Sequence, residues 1–271
     1  ANADGSDMYI PVYEAGNNVR ITDPFKQPLY TPAAEPITKT VGQTIAINLN
    51  VDTAGGHITQ TNPLASLNLA GNAVLDAGSG NIALPNANNT VAGTASMVAT
   101  NSSMSTSTDL RLGTVVNRGA LTLVSLGDID LGMAFISGGD LTLQSRGNLN
   151  LGGADISGDL HMTSTAGNIS FGTAIVQGDL TAVTQGGVVD LGAANVGRHL
   201  DVQTNGGDIT QSVVNNAFLS VAGNSNLNAG SGNVTLPNLP NQFAGPVRMQ
   251  AHDVVLAASH GLNLGDSNIT G

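Results

Sequence analysis

Carboxylates are the first residues in this chain whose spacing invites chemistry. Asp130 and Asp190 stand at the middle of two short apolar triplets, Ile129-Asp130-Leu131 and Val189-Asp190-Leu191. A glycosidase needs two carboxyls about 5–10 Å apart across a sugar. Two further triplets, centred on Asn150 and Ser170, lie between them, so stacked triplets put the pair three strand spacings, roughly 14 Å, apart. The tightest grouping is Asp155 with Asp159, near Arg146, and these read as turn and solvent-face positions. Gly138-Gly139-Asp140 and Gly206-Gly207-Asp208 share a fragment of the nine-residue glycine–aspartate repeat that binds calcium in β-rolls. The period here is longer, and Asp at such corners is expected to accept turn hydrogen bonds instead. His57, His161, His199, His252 and His260 show no metal-ligand spacing. Thr122, Thr142 and Thr181 hint at a flat ice-binding array, but His161 and Asp201 interrupt the column, so ordinary strand threonines are expected. The residues therefore assign no catalytic, cofactor-binding or metal site and predict a chain that is not an enzyme.

The elements that must position these residues follow from a repeat. Four stretches align at a spacing near 20 residues: GALTLVSLGDIDLGMAFIS from Gly119, GDLTLQSRGNLNLGGADIS from Gly139, GDLHMTSTAGNISFGTAIV from Gly158 and GDLTAVTQGGVVDLGAANV from Gly178. Each holds a first triplet (Leu121-Thr122-Leu123 and its counterparts), a second (Ile129-Asp130-Leu131 and its counterparts) and a shorter apolar patch. Apolar–polar alternation is strand periodicity, with the outer residues of a triplet facing a core and the middle one facing water. Gly127-Asp128, Gly147-Asn148, Gly167-Asn168 and Gly207-Asp208 precede second triplets and read as sharp corners that use positive φ. Three short strands per coil, stacked in parallel roughly 4.8 Å apart, give an all-β fold: a parallel β-helix, or β-solenoid, of about 20 residues per coil. On this basis Leu151→Asp is expected to be severely destabilising and Asn150→Asp nearly silent. The polar stretch TNSSMSTST, residues 100–108, reads as a protruding loop. Asn88-Asn89-Thr90 and Asn101-Ser102-Ser103 match the glycosylation pattern weakly.

A longer repeat overlies the short one. GGHITQ at 55–60 recurs as GGDITQ at 206–211, and residues 67–97 recur at 219–249, offset by 152. Residues 55–119 are thus echoed by 206–271, and the chain stops where the earlier copy enters its regular run, as expected of a piece of a longer array. Residues 55–271 form the β-helix. Residues 1–54 hold Pro11, Pro24, Pro28, Pro32, Pro36 and all three tyrosines, Tyr9, Tyr13 and Tyr30. They suit an N-terminal cap, a linker or a strand-donor segment, with residues 41–51 alternating into the first coil. A bare terminal coil would invite strand addition from residues 1–40 of another copy, making a filament.

The formal net charge is −11 with eight basic residues, which argues against nucleic acid and anionic membranes as partners. No apolar run approaches the ~20 residues needed to span a membrane. There is no cysteine, so stability rests on the strand ladder.

GALTLVSLGDIDLG, GDLTLQSRGNLNLGG and AGSGNIALPNANNTVAGT resemble the repeat regions of filamentous haemagglutinin-like exoproteins, large bacterial surface adhesins exported by two-partner secretion. The resemblance covers roughly residues 55–271. It implies a right-handed β-helix, a secreted or cell-surface location in a Gram-negative bacterium, and a structural or adhesive role in a fibre. The partners it implies are further copies of the chain, or glycans and proteins on host or neighbouring cells. The family's secretion domain carries an Asn-Pro-Asn-Gly-type motif, of which Thr61-Asn62-Pro63-Leu64 keeps only a part. The resemblance is therefore to the repeat region and not to the export signal. A carbohydrate-active β-helix enzyme is the alternative from another class.

Overall fold

The computed structural model describes residues 18–21, 44–45, 48–62, 64–136, 138–212 and 217–271. Most of the cap, linker or strand donor suggested for residues 1–54 lies outside these, as does Pro63. Asn18–Ile21 pairs in parallel with Asn48–Asp52, which in turn pairs with Ala73–Asp76. The described residues build three sheets of fifteen, eleven and three strands and contain no helix. The eleven-stranded sheet takes one strand from each coil, so the chain winds a β-solenoid of about eleven coils.

A central coil has three faces. Leu121–Ser125 forms the first, and its partner one coil on is Leu141–Ser145. Ile129–Ile136 then supplies both the second and third faces as one eight-residue strand, so the turn expected between the second triplet and the apolar patch is absent. The strand bends instead at Gly132, and its counterparts bend at Gly152 and Gly172. A Cβ on Gly172 would stand 2.1 Å from the carbonyl oxygen of Gly152, so only glycine lets the bends of successive coils nest.

Inward residues form unbroken columns. Leu121, Leu141, Leu160, Leu180 and Leu200 stack in register and are at most 1 % exposed. Ile129, Leu149, Ile169 and Val189 do the same on the second face. Each such buried side chain contributes on the order of 1.5–3 kcal/mol. In the central coils the last residue of the first-face strand also points inward, and there the column changes to hydroxyls. Ser125, Ser145 and Ser164 donate to the carbonyls of Thr108, Gly127 and Gly147 of the preceding coil at 2.7–2.8 Å. These buried hydroxyls are thereby paired, and each adds a bond to a corner carbonyl.

The corners work differently from the expectation. Positive φ among the described residues is confined to Ala54, Asn205 and six glycines, none of which is Gly127, Gly147, Gly167 or Gly207. Close stacking, not a left-handed bend, demands glycine at these corners: a Cβ on Gly167 would lie 2.4 Å from the backbone carbon of Gly147. The Asp and Asn beside them reach across coils. Asp109 Oδ1 accepts from the Asp128 amide, Asp128 from Asn148, Asn148 from Asn168 and Asn168 from Val188, at 2.7–3.0 Å. A second side-chain ladder runs up the other corner, from Asp140 through Asp159 and Asp179 to His199, whose Nδ1 accepts the Asn224 amide at 3.0 Å.

Residues 100–108 are not a protruding loop. Ser102–Thr106 is a first-face strand between Ile82–Leu84 and Leu121–Ser125. Ser102, Met104 and Thr106 are buried there. Ser102 Oγ bonds Asn117 Oδ1 at 3.0 Å and Thr106 Oγ1 donates to the Thr108 carbonyl at 2.9 Å, so short hydroxyl side chains with local partners take core positions.

Candidate functional site: the wide corners

Two places depart from the regular coil, and they are the two copies of the long repeat. In the first, the chain leaves Ile58–Thr59 and re-enters at Asn68–Leu69 after a wide excursion of which residues 60–62 and 64–67 are described. One coil later it makes a second, shorter excursion over residues 85–89 between Ile82–Leu84 and Thr90–Val91. The two excursions stack and are clamped by side-chain amides. Gln60 Nε2 donates to Asn89 Oδ1 at 2.8 Å, and Asn89 Nδ2 returns a bond to Gln60 Oε1 at 3.1 Å. Asn89 also accepts the Leu67 amide and donates to the Leu84 carbonyl, while Asn86 Nδ2 holds the Ala65 carbonyl at 2.8 Å. Asn89 is fully buried. Buried polar groups are costly unless paired, and this one has all its partners.

The second copy repeats the device. Gln211 and Asn241 exchange amide hydrogen bonds at 2.9 and 2.8 Å, Asn241 Oδ1 accepts the Leu219 amide, and Asn238 Nδ2 holds the carbonyls of Ala217 and Ser212. The signal for this clamp was present in the sequence as the recurrence of ITQ and LPN. Strand periodicity does not read it, because the clamp joins residues 29 or 30 positions apart on different coils.

The two copies do not face the same way. Ile58–Thr59 lies on the first face, and its column runs through Ile82, Ser102, Leu121, Leu141, Leu160 and Leu180 to Leu200, seven coils on. Its counterpart Ile209–Thr210 is one face further, paired with Val189–Asp190 on the second. Ala73–Asp76 on the third face likewise corresponds to Ser225–Asn228 on the first. The 152-residue repeat therefore advances seven and one-third turns.

The residues singled out by type and spacing remain dispersed. Asp130, Asn150, Ser170 and Asp190 form one outward column in that order. Asp155 is outward on the third face beside Phe135 and Ile175, while Asp159 belongs to the corner ladder. The ion pairs among the described residues are Arg198–Asp179 and His252–Asp253, so Arg146 does not join Asp155 and Asp159. Asp140 and Asp208 spend an oxygen on the amides of Asp159 and Asn233 in the next coil, not on their own turns. His57 and His199 present Nδ1 as the acceptor of a neighbouring coil's amide. Thr122, Thr142, His161, Thr181 and Asp201 share one outward column, mixed in type as the sequence indicates.

Searches of curated proteins and of solved structures return no match to this chain. A scan against protein families matches one family, described as repeats of unknown function (DUF5649), over residues 34–98, 138–195 and 177–250. The second and third matches overlap, as repeats of near-uniform coils do when they align in more than one register. Taken together the matches span well over half of the sequence, and the chain belongs to this family of repeats.

Proposed function

We propose that the chain is a structural and adhesive rod of a bacterial cell-surface or secreted fibre. The observation that carries this reading is the contrast between its two kinds of column. Inward columns are uniform from coil to coil, as Leu121, Leu141, Leu160, Leu180 and Leu200 are. Outward columns change chemistry at each step, as Thr122, Thr142, His161, Thr181 and Asp201 do. Such a scaffold fixes length and leaves its surface free to vary, which suits display. The resemblance of the coils to filamentous haemagglutinin-like exoproteins supports export from a Gram-negative cell, as does an acidic chain rich in amides and hydroxyls.

Labelled chain incubated with epithelial and bacterial cells, and with arrays of neutral and acidic glycans, tests the adhesive part. Saturable retention by cells or by a glycan class is the expected result. Absence of retention on every surface would remove the adhesive role. Shortened glycans recovered from the array would instead establish the carbohydrate-active alternative.

A further inference from the structure

A ladder of side chains runs along the corner that leads into the first face. Its rungs are residues that precede first-face strands, and each accepts the backbone amide of the matching residue one coil on. Asn81 accepts from Asn101 and Asn101 from Ala120, while Asp140, Asp159 and Asp179 accept from Asp159, Asp179 and His199. These rungs bridge 19 or 20 residues. Two rungs are histidines instead. His57 Nδ1 accepts the Asn81 amide and His199 Nδ1 accepts the Asn224 amide, both at 3.0 Å, across 24 and 25 residues. The longer separation has one cause in both places, since residues 58–80 and 200–223 are the coils that make the first wide excursion of each copy. Histidine therefore joins the wide coils to the rest of the rod, and Asp or Asn joins the regular ones.

The three kinds of acceptor respond differently to acid. A carboxamide does not titrate, and an aspartate carboxylate does so near pH 4. An imidazole gains its second proton between about pH 8 and pH 5. A ring that accepts at Nδ1 carries its one proton on Nε2, so the added proton goes to Nδ1 and meets the amide hydrogen held there. The acceptor becomes a donor and the bond is lost. Both rings are exposed, so water supplies the proton. The His199 ring lies close over the next coil, where a Cβ on Gly223 would stand 2.6 Å from Nδ1, so donor would face donor at short range. We infer that His57 and His199 are proton-operated latches, which fasten the two wide coils at neutral pH and release them on acidification while the central coils stay closed. The bonds add stability at and above neutral pH and are lost as pH falls. Neighbouring charges do not replace them. Beside His199, Asp179 is divided between the His199 amide and Arg198, Asp201 accepts from Asn226, and Arg248 lies beyond Asn226 in the outward column. Among the described residues around His57, Asp52 and Asp76 accept the amides of Ala54 and Gly78, and Arg118 reaches the Gly78 carbonyl.

Amide exchange of the whole chain, read residue by residue by NMR and corrected for the intrinsic rate at each pH, tests the latches. From about pH 7.5 to about pH 5, protection of the Asn81 and Asn224 amides is expected to fall roughly three- to tenfold, as for the loss of one ordinary hydrogen bond. The amides of Asn101, Asp159 and Asn168, held by the side chains of Asn81, Asp140 and Asn148, should keep their protection. In His57→Asn and His199→Asn the fall should vanish, because asparagine already serves as a rung at Asn81 and Asn101. Nitrogen chemical shifts of the imidazoles report the protonation of each ring in the same samples. Equal falls at every one of these amides overturn the inference, and so does a fall that survives in the asparagine variants. Unchanged protection at Asn81 and Asn224 overturns it too, whether the rings take up a proton or stay neutral throughout.

Discussion

At the scale of single residues, the amide of Asn241 illustrates how little slack the wide corner has. Its side chain serves Gln211, the Leu219 amide and the Leu236 carbonyl, all in a site closed to water. Asn241→Ala strands those groups at a cost of about 1–3 kcal/mol. Hydrogen exchange at the Leu219 amide should accelerate by one to two orders of magnitude, with no comparable change for the exposed Asn88→Ala. Unchanged exchange at Leu219 would refute the clamp. The facing of strand Leu149–Ile156 gives a second contrast. Leu151 is fully buried, so Leu151→Asp puts a charge into the core and should prevent folding of the central coils. Asn150→Asp is less innocent than alternation alone suggests, because Asn150 Nδ2 donates to Asp130 Oδ1 at 3.0 Å. Two facing carboxylates replace that bond and should cost up to about 1 kcal/mol, while Asn150→Ser should be silent in chemical denaturation.

At the scale of the element, coil-to-coil distance is held by corners as much as by strands. Gly167→Ala drives a methyl into the backbone of Gly147, and the corner can yield only by parting from its neighbour. The amide of Asn168, which bonds Asn148 Oδ1 at 2.9 Å, should then lose protection before the strands on either side do. Uniform protection across the coil would show that the corner has more room than its geometry implies. Period-2 alternation was enough to place Leu121, Leu141 and Ile129 inside, because a strand sends successive side chains to opposite faces. Polarity alone puts residues 100–108 outside, yet Ser102 and Thr106 occupy core positions there through hydroxyl bonds that composition cannot reveal. The ladders were hidden for another reason. The spacing of Asp140 and Asp159 is visible as a repeat, but the bond runs from one side chain to the other's backbone amide, and a backbone leaves no letter in the sequence. Continuous second and third faces escaped for the same kind of reason: Gly132 reads as a turn in isolation and becomes a gentle bend once Gly152 nests above it.

At the scale of the whole molecule, the one-third turn left over by the long repeat was present in the numbers but not readable from them. An offset of 152 residues does not divide evenly by a coil of about 20, and because the coils with excursions are longer, only the strand register shows that the excess is one face. A further consequence follows from the direction of the ladder. Almost all described strands pair with a strand of the next coil, so the backbone hydrogen bonds lie along the axis of the rod and an end-to-end tension falls on them coil after coil. Coils should peel singly from a stretched end, each releasing about 20 residues that extend to nearly 70 Å from an initial rise of about 4.8 Å. Single-molecule stretching is expected to give a train of evenly spaced rupture events roughly 60 Å apart, and one all-or-none rupture would contradict it. A tether of this kind lengthens more than tenfold under load without parting, which makes the molecule a shock absorber as well as a spacer.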